Sequence, residues 1–76
     1  MANHVLDITR DVCPLTFVKT KLLIERMAPG DTAEIRLAGA EPVENVPRSV
    51  RDHGHEVLSL EIEDGGAAHR LRIRKR

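Results

Sequence analysis

The sequence has no tryptophan, no tyrosine and one phenylalanine, Phe17. The core must therefore be built from Leu, Ile and Val. Cysteine occurs once, at Cys13. A lone thiol excludes an intramolecular disulfide and fits a reducing, cytoplasmic setting. Neither sign of charge prevails, with 12 basic and 12 acidic residues. Capture of nucleic acid or membrane by net charge is thereby excluded. Long apolar runs are also missing. The opening MANHVLDITR holds no stretch long enough for a signal peptide. No segment approaches the roughly 20 apolar residues of a membrane span. There is no internal repeat, linker or low-complexity stretch, so one domain over residues 1–76 is expected, with a modest core.

What is present is an ordered series of short patterns. Val5 to Thr9 alternates as a strand, with Leu6 and Ile8 on one face. Pro14 suits the first position of a helix, where its missing N–H costs nothing. That helix is expected to run to Met27 or Ala28 and to stop before Pro29-Gly30, with Cys13 as its N-cap. Thr32 to Ala38 alternates as a second strand, Ile35 and Leu37 inward and Glu34 and Arg36 outward. Gly39 to Asn45 reads as a loop containing Pro42. Pro47 then opens a second helix that Gly54 closes. Val43, Val46 and Val50 give that region an apolar stripe. Leu58, Leu60 and Ile62 alternate with polar residues, Asp64-Gly65-Gly66 is a turn, and Leu71 and Ile73 alternate with arginines, forming a hairpin. The order is β-α-β-α-β-β. Right-handed crossovers put both helices on one face. Glu34, Arg36, Glu61, Glu63, Arg70 and Arg72 are left on the watered face of an α/β two-layer sandwich.

Cys13 is open to several readings at this level. A free cysteine often packs as a small hydrophobe. At a helix N-terminus, however, unpaired N–H groups and the helix dipole favour a thiolate. The pKa is then expected to fall below about 8.5. Lys19 and Lys21 add positive charge to the helix, whereas Asp11 opposes a second negative charge. Dithiol exchange needs a resolving cysteine, which C-P-L-T does not supply. A cysteine hydrolase needs a nearby base, and His4, His53, His55 and His69 qualify by type alone. Cys13 with His53-x-His55 lacks zinc-finger spacing, so no metal is expected. His53 fits better as a group completing the second helix, and His69 lies in phase with Leu71 and Ile73. Persulfide transfer asks for one exposed thiol and no metal or organic cofactor.

The residues Leu6-Asp7, Cys13-Pro14 and Lys21, followed by Val46-Pro47 and Gly54-His55, resemble the TusA-like (SirA-like) sulfur-carrier family over nearly the whole chain. The Cys-Pro start of helix 1 is the most specific element. Asp11 stands where that family usually has glycine, and Thr16 replaces the second proline of its CP-x-P. The loop Ala38 to Pro42 is shorter than its acidic counterpart. The resemblance implies a two-layer fold with a four-stranded mixed sheet. It also implies a persulfide carrier rather than a turnover enzyme. Cys13 would be the persulfide acceptor, Pro14 the helix start and Lys21 a supporting charge. Sulfur would come from a cysteine desulfurase or rhodanese-like donor and pass to an acceptor protein.

The competing expectation is a non-catalytic regulatory domain, or a protein- or nucleic-acid-binding domain, on the same fold. The basic run Arg70, Arg72, Arg74, Lys75 and Arg76 is its support. Arg70 and Arg72 can instead pair across the hairpin with Glu61 and Glu63, and no strand carries an aromatic residue on which bases could stack. Nucleic acid and membrane are not expected partners, and a monomer is expected. Helix 1 has more apolar residues than one face can hide. Leu15, Val18 and Leu22 form a stripe, and Phe17, Leu23, Ile24 and Met27 spread beyond it. Either helix 2 and the loops wrap them, or a patch near Cys13, with Phe17 in it, docks a partner.

Overall fold

The computed structural model describes residues 2–12, 15–63 and 65–76. The N-cap assignment of Cys13, the helix-start assignment of Pro14 and the turn position Asp64 lie outside the described residues. The elements are β1 (Asn3–Asp7), α1 (Leu15–Arg26), β2 (Thr32–Leu37), α2 (Ala40–Asp52), β3 (Glu56–Ile62) and β4 (His69–Arg74). They form one mixed sheet in the order β1-β2-β4-β3. β1 and β2 are parallel, and β4 is antiparallel to both β2 and β3. This is the expected β-α-β-α-β-β two-layer arrangement.

Period-two alternation places the core. Ala33, Ile35 and Leu37 stand opposite Ile73, Leu71 and His69. Directly opposed residues share a sheet face. Ile35, Leu37, Leu71 and Ile73 are fully buried, with Ile8, Ile24, Met27, Val46 and Val50 packed among them. The other face carries ion pairs. Arg36 bridges Asp7 and Glu63, while Arg70 reaches Glu34 and Glu63. Arg72 takes Glu34, a partner on β2 rather than across the hairpin. His69 is half-buried on the core face, as its phase implied.

Three local expectations are corrected. The loop expected over Gly39 to Asn45 is helical, because α2 starts at Ala40. Pro42 falls in the first turn, where N–H groups need no helical partner, and Gly39 precedes it at φ 95°. Pro47 therefore does not open α2 but lies inside it, and it costs the bond that an N–H there would donate to Val43 C=O. Burial of Pro42, Val46, Pro47 and Val50 along one face offsets that loss. The second correction is in β3. Its pairing with β4 slips between Val57 and Ser59, leaving Leu58 as the extra residue. A bulge shifts the alternation by one. Val57 thus packs on the core in phase with Leu60, and Leu58 drops out of that face. Third, the inward stripe of α1 is Thr16, Thr20 and Ile24, one turn apart. Leu15, Val18 and Leu22 are about half exposed. Thr20 can be buried here because its hydroxyl donates to the Thr16 carbonyl at 2.8 Å.

The helix ends follow local chemistry. Ala28-Pro29-Gly30-Asp31 closes with Asp31 N–H donating to Ala28 C=O at 2.9 Å and Gly30 at φ 91°. This is the Pro-Gly form of a type II turn. α2 ends as expected at Gly54, φ 85°. Gly54 N–H reaches Arg51 C=O at 2.9 Å and His55 N–H reaches Val50 C=O at 3.1 Å, a Schellman pair.

Asp31 fastens the end of the sheet remote from the β1–α1 connection. Its carboxylate accepts from Ala2 N–H at 2.9 Å and Ala28 N–H at 3.0 Å, and meets His4 Nε2 at 3.1 Å. These partners, led by the Ala2 N–H, lower its pKa from 3.8 to about 2. A carboxylate depressed in the folded state contributes stability above its unfolded pKa and loses it as pH falls through the folded one. Asp31→Asn is therefore expected to lower the melting temperature at neutral pH. The gap from the wild type should close as pH drops from 3.8 toward 2. A gap that stays constant over that range would remove Asp31 from acid unfolding.

Candidate functional site

The chain leaves β1 at the end where the parallel strands β1 and β2 both finish, and residues 8–14 connect it to α1. That connection contains Cys13 in sequence. Its strand side is tightly held. Asp7 accepts from the Thr9 N–H at 3.0 Å and from the Thr9 hydroxyl at 2.7 Å. Arg36 Nη1 donates to the other Asp7 oxygen at 2.7 Å. These contacts, the Thr9 N–H foremost, take the Asp7 pKa down to about 2. Arg36 also grips Glu63 through Nε and Nη2 at 2.9 and 2.7 Å. That contact keeps Glu63 below the usual carboxylate range and raises Arg36 further. Asp7 thus closes the end of β1, holding Thr9 on one side and Arg36 of β2 on the other, a physical role for the aspartate of the motif.

Ile8 N–H donates to Arg36 C=O, and Asp11 N–H to Ile8 C=O, both at 3.1 Å. Beyond Cys13 and Pro14, Leu15 N–H donates to Val12 C=O at 2.8 Å. Lys19 Nζ donates to Asp11 Oδ2 at 2.8 Å. Asp11, expected to oppose a thiolate, therefore has its charge offset by Lys19. Sequence reading missed this pair, because its members are eight residues apart across an irregular segment.

Lys21 is exposed six residues beyond Leu15, about 9 Å of helical rise from it. It lines a cleft of ≈ 390 Å³ between α1 and α2, together with Phe17, Val18, Ile24, Val46 and Val50. Phe17 is half-buried and packs against the core as well as facing the cleft. His53 and His55 also line this cleft. His53 caps α2, its Nδ1–H donating to Ser49 C=O at 2.8 Å. His55 accepts from Arg76 N–H at 3.2 Å. Burial, helped by Lys75 and His53, lowers its pKa. Among the described residues, no three His, Cys, Asp or Glu side chains come together as a metal site, and no helix is long and apolar enough to cross a membrane.

The face of α1 opposite Thr16 and Thr20 is apolar and open. Leu15 and Val18 are 48 % exposed, Leu22 51 %, and Val12, just ahead of the thiol position, 71 %. Among the described residues, four of the eight exposed large hydrophobic side chains, Val12, Leu15, Val18 and Leu22, fall between positions 12 and 22, around and after Cys13 in the chain, the last three of them on α1.

Comparison with known proteins agrees with this arrangement. The family described as "Sulfurtransferase TusA" matches residues 4–75. A protein of Archaeoglobus fulgidus named "Putative sulfur carrier protein" is 50% identical over 60 residues, covering 79% of this chain and 68% of the relative. Proteins of the same name from Thermotoga maritima and Methanocaldococcus jannaschii are 38% and 32% identical. They cover 74% and 80% of this chain, and 71% and 81% of their own lengths. The crystal structure of a SirA-like protein from Desulfitobacterium hafniense superposes with a TM-score of 0.77 over 97% of this chain and 96% of that one. At 17% identity it speaks for the fold alone. With the family match spanning all six elements and a relative identical at half of the aligned positions, the chain belongs to the TusA family.

Proposed function

We propose that the protein is a sulfur carrier that holds sulfur as a persulfide on Cys13. The observation that carries this reading is the chain's only thiol standing in the Cys-Pro motif of a TusA-family chain, two residues ahead in sequence of a helix with an exposed apolar face. In the first step the Cys13 thiolate attacks the outer sulfur of a donor persulfide. The donor S–S bond breaks, the donor leaves as a thiolate, and Cys13 becomes Cys–S–S⁻. In the second step an acceptor nucleophile attacks the outer sulfur and Cys13 leaves as a thiolate. Neither step needs a metal or an organic cofactor. A thiol ionising below about 8.5 is a better leaving group, and a helix start this close in the chain favours the anion.

Donor and acceptor are proteins in this reading, a cysteine desulfurase or rhodanese-like protein supplying the sulfur. Val12, Leu15, Val18 and Leu22 form the docking surface, with Phe17 and the neighbouring cleft at its border. Lys21 adds positive charge along the cleft, and Pro14 sets the helix start after the thiol. A reducing compartment, the cytoplasm, suits a single thiol that must cycle. The nucleic-acid reading gains nothing from β4, whose Arg70, Arg72 and Arg74 already face carboxylates.

Incubation with a cysteine desulfurase and cysteine is expected to raise the intact mass by one sulfur atom, and reductant should remove it. A protein that stays unmodified while the desulfurase turns over would overturn the proposal.

A further inference from the structure

The ion pairs on the sheet join strands that backbone hydrogen bonds already order. The pair between Asp11 and Lys19 is different. Asp11 belongs to the irregular connection before α1, and Lys19 to the second turn of α1. Their contact at 2.8 Å is a side-chain tie across a stretch whose sequence includes Cys13. The Asp11 side chain is 19 % exposed, although its neighbour Val12 stands open to solvent. The backbone bonds Asp11 to Ile8 and Leu15 to Val12 hold the two ends of the same stretch. With its lysine 46 % exposed, such an ion pair adds little to global stability. Its consequence is local.

We propose that Asp11 and Lys19 are a positioning pair. Their tie holds the connection against α1 and so sets how Cys13 is presented to a sulfur donor. This rests on the carrier reading, but it assigns a role to two residues that do not themselves react. Docking and presentation are then separate functions of α1. The apolar run captures the donor, and the ion pair sets the rate once the donor is bound.

The test uses Asp11→Asn, Lys19→Met and the charge-reversed double variant Asp11→Lys with Lys19→Glu. Sulfur uptake is measured against desulfurase concentration, amide exchange at Asp11 and Leu15 by NMR, and alkylation of Cys13 by iodoacetamide. Each single variant is expected to speed exchange at both amides. Each should also lower the saturating uptake rate several-fold while the half-saturating donor concentration stays unchanged. The reversed pair should restore exchange, uptake and the wild-type alkylation rate. Single variants that keep wild-type exchange and uptake would overturn the assignment, as would a reversed pair no better than the singles. If the wild type takes up no sulfur, the carrier reading fails. The positioning role is then decided by exchange and alkylation, which need no donor.

Discussion

Cys13→Ser is expected to abolish sulfur uptake completely while the protein still folds. The chain has no other thiol, so no second site can carry residual sulfur. A serine hydroxyl is not ionised near neutral pH and forms no transferable S–S bond, so the loss should reach background rather than a fraction of the wild-type rate. Serine differs from cysteine by one atom, and the core built on Ile35, Leu37, Leu71 and Ile73 lies in the central strands. Intact mass after desulfurase treatment, with a circular-dichroism melt as the folding control, makes the measurement. Equal sulfur on the serine variant would end the assignment of the carrier role to this residue.

The second large effect concerns capture of the donor. Leu15, Val18 and Leu22 each leave about half of an apolar side chain in water. Covering that much surface is worth about 1 kcal/mol per residue. Removing all three contacts should therefore cost about 3 kcal/mol, roughly a hundredfold in donor affinity. The triple variant Leu15→Gln, Val18→Gln and Leu22→Gln keeps good helix formers on α1, so its stability should change by less than about 1 kcal/mol. Phe17→Ala supplies the contrast. Phe17 is half-buried against the core and also borders the cleft. It should lose stability, though less than the about 3–5 kcal/mol of a fully buried phenylalanine, together with some affinity. Titrating uptake against donor for both variants, beside their melting curves, separates the two roles. An unchanged half-saturating concentration in the triple variant would show that this face is not where the donor docks.

The deviations on α1 and β3 have physical causes that sequence patterns do not carry. Periodicity ranks residues by side-chain type, and by type Leu15, Val18 and Leu22 look more like a core stripe than Thr16 and Thr20. Burial of Thr20 is possible because a helix carbonyl accepts its hydroxyl. In β3 the alternation Leu58, Leu60, Ile62 is regular, yet a bulge against β4 takes Leu58 out of phase and brings Val57 in. In α2 the sequence pattern puts Pro42 in a loop and Pro47 at the helix start. One sits where no N–H is needed, and packing of Val46 and Val50 outweighs the other.

The order of elements, the polar and apolar faces of β2 and β4, the glycine that ends α2 and the position of the single thiol were determined by the sequence alone. Each depends on neighbours within a few residues, through side-chain alternation, φ restriction or the presence of a single cysteine. Other features were decided by the tertiary structure: which stripe of α1 stays open, the Asp31 clasp on residues 2, 4 and 28, and the Asp11–Lys19 tie. These join groups that are far apart in the chain or separated by irregular backbone. Their energies arise only when the sheet and helices bring the partners within hydrogen-bond distance, and no local propensity encodes that approach.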